Sequence, residues 1–89
     1  MVEKDIRILF VRRYDFVNDK TGENVKGLKC SYCFTSMIDK ENEKGYKVLM
    51  DNLPFDLFKD ITSKMPFECI GLFEVNDKAE LKLKNIKLK

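Results

Sequence analysis

Leu28-Lys29-Cys30-Ser31-Tyr32-Cys33-Phe34-Thr35-Ser36-Met37-Ile38 carries the clearest alternation in the chain. Leu28, Cys30, Tyr32, Phe34 and Ile38 share one phase, and Lys29, Ser31, Cys33 and Thr35 the other. A period of two is the pattern of a strand with one face in a core and one in water. It predicts a mainly β protein, with Tyr32 and Phe34 on the core side.

Upstream, residues 6–17 read as a longer strand, rich in β-branched and aromatic residues from Ile6 to Val17. Arg12-Arg13 breaks its apolar run. Neighbouring side chains on a strand point to opposite faces, so one arginine turns inward unless a bulge or a sheet edge lies there. The polar cluster Asn18-Asp19-Lys20-Thr21-Gly22-Glu23-Asn24 separates the two strands and reads as a hairpin turn, with Gly22 free to take positive φ.

Downstream comes a charged loop, 39–45, and a short third strand, 46–50. Asp51-Asn52 offers a helix cap, and Pro54 suits a first turn. Phe55, Phe58, Ile61 and Met65 then recur at helical spacing. These predict one helix at about 54–65, its apolar stripe turned into the core and Pro66 beyond its end. A fourth strand spans 67–75. A tight turn follows at Asn76-Asp77-Lys78, then a fifth strand at 79–88. The apolar phase of that last strand is odd at Leu81 and Leu83 and even at Ile86 and Leu88, which places a bulge near Lys84-Asn85. The resulting order, β-β-β-α-β-β, is that of a small five-stranded OB-like barrel in a single domain, 1–89, with another small α+β sheet or an SH3-like barrel as the alternative.

The composition agrees. With 44% hydrophobic and 36% charged residues, an 89-residue chain suits one folded, well-solvated domain rather than a disordered one. No apolar run reaches the roughly 20 residues of a membrane helix. Three cysteines without a secretion signal point to free thiols and a cytoplasmic location. Charge is uneven: residues 1–29 carry a net +2, residues 30–77 a net −4, and residues 78–89 a net +4.

No histidine is present, so the commonest general base near neutral pH and every Ser/His or Cys/His arrangement are missing. The expectation is a binding protein rather than an enzyme. Cys30-Ser31-Tyr32-Cys33 has C-x-x-C spacing, but on a strand its two thiols point apart, and only Cys69 remains to complete a ligand set. Neither a metal nor another cofactor is expected. Gly22 to Gly27 with Lys29 lacks the Lys-Ser/Thr pair that a phosphate loop needs directly after its second glycine.

What stands out is cations interleaved with aromatic residues: Arg12, Arg13, Tyr14 and Phe16, then Lys20, Lys26, Lys29 and Tyr32, then Tyr46 and Lys47. Single-stranded nucleic acid is bound by this mixture, cations following the phosphates and flat rings stacking on bases. In this reading Arg12, Arg13, Lys26 and Lys29 meet phosphates, and Tyr14, Phe16, Tyr32 and Tyr46 meet bases. Tyr32 stands in two sets, since it also belongs to the core phase of its strand. The C-terminal Lys82, Lys84, Lys87 and Lys89 protect a sheet edge from pairing with other chains and add a basic stripe.

Three stretches, Tyr14 to Gly27, Tyr32-Cys33-Phe34 and Asn76 to Lys84, resemble the small single-stranded DNA-binding proteins of Gram-positive phages and mobile elements, of the filamentous-phage helix-destabilising type. The resemblance implies an OB-type barrel, often a homodimer, that coats single-stranded DNA with little sequence preference during replication. It carries over Tyr14, Lys20, Lys26, Lys29 and Tyr32 as strand contacts. The rival expectation is a protein-interaction module that docks on a replication or host protein through strand edges or the acidic loop 39–45.

Overall fold

The computed structural model describes residues 1–88. Seven strands and one short helix follow in order: β1 (Val2–Val17), β2 (Asn24–Phe34), β3 (Ile38–Asp39), β4 (Lys44–Gly45), β5 (Leu49–Leu53), a 3₁₀ helix (Phe55–Asp60), β6 (Phe67–Val75) and β7 (Leu81–Lys87). Five of the strands form one antiparallel sheet in the order β5-β2-β1-β6-β7, and β3 and β4 pair separately as a small hairpin. The sheet curls into a half-barrel, which brings its two edge strands, β5 and β7, towards each other.

The inner face of the curl is the core. Ile6 and Ile8 of β1, Leu28, Cys30 and Tyr32 of β2, Leu53 of β5, Cys69 and Phe73 of β6, and Leu83 and Ile86 of β7 are all buried there. Each of the larger ones contributes about 1.5–3 kcal/mol of transfer free energy. Gly71 leaves room for them: a Cβ at that position would lie 2.7 Å from the Phe73 ring and 2.9 Å from Ile6. The alternation of β2 is met at Leu28, Cys30 and Tyr32, with Phe34 half-buried against the same core. Cys33, on the opposite face, is also buried.

Asp51 joins the two edges. Its Oδ2 accepts a hydrogen bond from the Tyr32 hydroxyl at 2.7 Å and another from the Leu83 backbone N–H at 3.1 Å. One carboxylate thus links β5, β2 and β7. Burial, followed by this carboxylate, pushes the Tyr32 hydroxyl pKa up, and burial pushes the Cys30 thiol up to about 12.

Asp51 also explains the largest departure from the sequence reading. The predicted helix at 54–65 is a single 3₁₀ stretch of six residues with no side-chain cap and no buried residue. Asp51 and Asn52 belong to β5, and the carboxylate expected to cap the helix is committed to Tyr32 and Leu83. Without a cap, and with β-branched Ile61-Thr62 next in sequence, little sustains further turns. The stripe expected to fill the barrel is divided. Leu57 and Ile61 pack against the core, whereas Phe58 and Met65 are exposed.

Other boundaries shift as well. The second strand stops at Phe34 rather than at residue 38, the loop 39–45 holds the β3–β4 hairpin, and the third sheet strand lies at Leu49–Leu53 rather than 46–50. The bulge expected near Lys84-Asn85 is present: Leu72 pairs with Asn85 and Phe73 with Leu83, leaving Lys84 as the extra residue. Lys89 of the C-terminal lysine set lies outside the described residues. Among the described residues, no helix is long and apolar enough to cross a membrane.

Candidate nucleic-acid interface

A second bulge sets the site. Ile8 pairs with Tyr32 and Phe10 with Ser31, so Leu9 is an extra residue in β1. Before it, Ile6 and Ile8 point inward. After it the phase is reversed, and Val11 and Arg13 share the inner face with Cys30 and Leu28, their partners on β2. Phe10, Arg12, Tyr14 and Phe16 are thereby turned together onto the outer face.

Paired residues share a face, so the register reads out this surface row by row. Phe10, Ser31 and Met50 form one row across β1, β2 and β5, and Arg12, Lys29 and Asn52 form the next. The pairing of β6 ends at Ile8 and that of β5 at Leu53, opposite Leu28; beyond these β1 and β2 continue alone as a two-stranded arm. The arm carries Tyr14 opposite Gly27 and Phe16 opposite Val25.

Each row has a distinct chemistry. Phe10 is 55% exposed and Met50 58%. Arg12 and Lys29 are exposed, directly opposite one another, and neither makes an ion pair among the described residues. Like charges placed so are unfavourable in the free protein. Tyr14 lies across the bare backbone of Gly27, where an added Cβ would fall 2.1 Å from its hydroxyl. Its ring centroid is 6.3 Å from that of Phe16, itself 53% exposed. Arg12, Tyr14, Phe16 and Lys29 together line a shallow hollow of about 260 Å³.

The remaining sequence candidates lie elsewhere. Arg13 and Lys26 are on the opposite face, over the 3₁₀ helix: the Arg13 guanidinium is 4.9 Å from the Phe58 ring centroid and 5.9 Å from that of Phe55, and Lys26 Nζ is 5.6 Å from Phe55. This is how the structure accommodates the inward arginine. Lys20 is exposed in the turn at the arm's tip, where its backbone N–H donates to Asn18 Oδ1. Tyr46 is exposed at the other end of the outer face, with the Arg7 guanidinium 5.7 Å from its ring centroid, and Lys47 follows it. Arg7 is held there by Glu68 at 3.0 Å. Tyr32 leaves the site altogether. It is 1% exposed and its hydroxyl is bonded to Asp51, so no base can reach its ring.

The outer face thus brings together Arg12, Tyr14, Phe16 and Lys29 and adds Phe10 and Met50, which sequence reasoning missed. The apolar run 8–11 masks Phe10, because without the bulge at Leu9 it shares the phase of the buried Ile6 and Ile8. The signal that could have found it is the period of two through Phe10, Arg12, Tyr14 and Phe16. Comparison of the chain with family models, with curated proteins and with solved structures finds no match in any of the three.

Proposed function

We propose that this protein binds single-stranded DNA through the outer face of β1 and β2, with little sequence preference, in the cytoplasm, and that it supports replication of a phage, plasmid or other mobile element. The observation that carries this reading is the uncompensated Arg12–Lys29 pair set among the exposed rings of Phe10 and Phe16 and the half-buried ring of Tyr14. A polyanion relieves the repulsion between the two cations, and bases supply flat partners for the rings. The work is binding; no step of chemistry is assigned to the chain.

The fold proposed with it is an OB-type barrel. Its support is the curled five-stranded antiparallel sheet, left partly open between β5 and β7 and bridged there by Asp51. Arg12 and Lys29 meet phosphates, and Tyr14 and Phe16 meet bases. Lys20 reaches the strand from the arm's tip. Tyr46 and Lys47 extend the track beyond Phe10. A homodimer that doubles the track is compatible with this arrangement.

Fluorescence anisotropy with a labelled oligo-dT of about 20–30 nucleotides, compared with the matching duplex across a salt series, tests the proposal. Tight binding to the single strand that weakens with salt and is poor on duplex is the expected result. No binding at low salt removes the proposal and turns attention to a replication or host protein as the partner.

A further inference from the structure

Resting on the single-strand reading above, we infer that the outer face holds a strand in one fixed register, in which it grips the bases of the first, third and fourth of four successive nucleotides and only the phosphates around the second. Side chains on one face of an antiparallel strand recur about every 6.8 Å, twice the rise per residue. A single strand drawn out of its stack to about twice the 3.4 Å rise of duplex DNA has the same repeat. One nucleotide therefore spans two residues of β1.

Counting along the face gives the register. Phe10 begins it, broadened by Ser31 and by Met50 on β5, with about 10 Å from β1 to β5. That row is a ledge the width of a base, made of two exposed apolar side chains and a hydroxyl. The next position along β1 is Arg12, opposite Lys29 and Asn52. It offers charge and no ring. Tyr14 and Phe16 follow at the third and fourth positions, their centroids 6.3 Å apart, close to the same repeat. The occupant is anionic because, among the described residues, the only charges in the middle of the track are Arg12 and Lys29, neither of them in an ion pair. A second copy of the chain would set those cations against its own.

The test uses oligonucleotides of about a dozen abasic residues containing a window of four thymines, read by anisotropy at low salt. Two further windows each replace one interior thymine with an abasic residue, and a last one keeps only two adjacent thymines. The expected result is asymmetric. One single-gap window binds as tightly as the full window, and the other binds about tenfold more weakly. Which of the two is silent reports the strand's polarity.

In Phe10→Ser combined with Met50→Ser, both surface positions, the silent-gap window falls to the affinity of the two-thymine window. Equal cost at both gaps, or no cost at either, overturns the register. A variant that still distinguishes the silent-gap window from the two-thymine window overturns the Phe10 ledge. Failure of the long oligo-dT to bind at all is a different outcome, and it removes the nucleic-acid reading itself.

Discussion

Arg12 and Arg13 are adjacent, carry the same charge and are both exposed, yet the two faces of the arm put them to different uses. On the outer face Arg12 stands opposite another cation and among open rings. On the inner face Arg13 lies over Phe55 and Phe58, with Lys26 beside it on Phe55. The inner contacts are satisfied within the protein and tie the arm to the 3₁₀ helix. The outer contacts are left incomplete. A surface that is locally unfavourable on its own and rich in one chemistry indicates what completes it, whereas a satisfied surface indicates only what holds the fold.

If the comparison holds, inner-face changes lower stability and outer-face changes lower binding. The largest effect is expected at Asp51. Asp51→Ala leaves the Tyr32 hydroxyl and the Leu83 N–H without their acceptor and should cost about 2–4 kcal/mol in urea unfolding, with the folded fraction still binding oligo-dT. A loss below about 0.5 kcal/mol would mean that the bridge between β5 and β7 is dispensable.

Alkali attacks the same inner face. The folded-state pKa values of the Cys30 thiol and the Tyr32 hydroxyl are raised from ordinary values of 9.0 and 10.0. The unfolded chain therefore loses these protons first, and stability that is intact below pH 9 falls as pH rises towards about 12. Melting temperature should drop across that window, and Cys30→Ala should flatten the drop. A melting curve indifferent to pH in this range would contradict the burial of both groups.

The two arginines sharpen the contrast directly. Arg12→Ala should lower the slope of log affinity against log salt by about 1 and leave stability unchanged, or raise it by a few tenths of a kcal/mol. Arg13→Ala should leave the salt slope alone and cost about 0.5–1 kcal/mol of stability. Exchange of these two outcomes would reverse the assignment of the faces.

The smallest effect is expected at Gly27→Ala. The added methyl meets the free end of the Tyr14 ring and not backbone, so the ring should move while the sheet stays. Binding should weaken about threefold, a fraction of the full stacking contribution of one base. An unchanged affinity would remove Tyr14 from the set of stacking rings.

Much of this was legible in the sequence where the cause is local. The alternation through Leu28, Cys30 and Tyr32 gives the core face of β2, because each residue responds to its own position on the pleat. The phase flip between Leu83 and Ile86 locates the bulge at Lys84 for the same reason. What was hidden depends on distant partners. Asp51 reads as a helix cap until Leu83, 32 residues away, is seen to donate to its carboxylate. Arg13 and Lys26 read as neighbours of Arg12 and Lys29 until the register sets them on the opposite face, Arg13 over Phe55 and Phe58 and Lys26 over Phe55. The bulge at Leu9 leaves little trace, since Ile8, Leu9, Phe10 and Val11 are all apolar whichever face they take.

Leu9 has a consequence for heredity. Its side chain is unremarkable, and the residue acts by being one more in the count. Remove its codon and Phe10 follows Ile8 directly, so the strand becomes regular with Phe10 still opposite Ser31, and each residue from Phe10 to Val17 keeps its side. What turns the face over is loss of the bulge with Leu9 retained, which sets Leu9 opposite Ser31 and moves every later residue of β1 to the other side. A lineage that keeps this face can lose the residue more safely than it can lose the bulge that sets the residue aside.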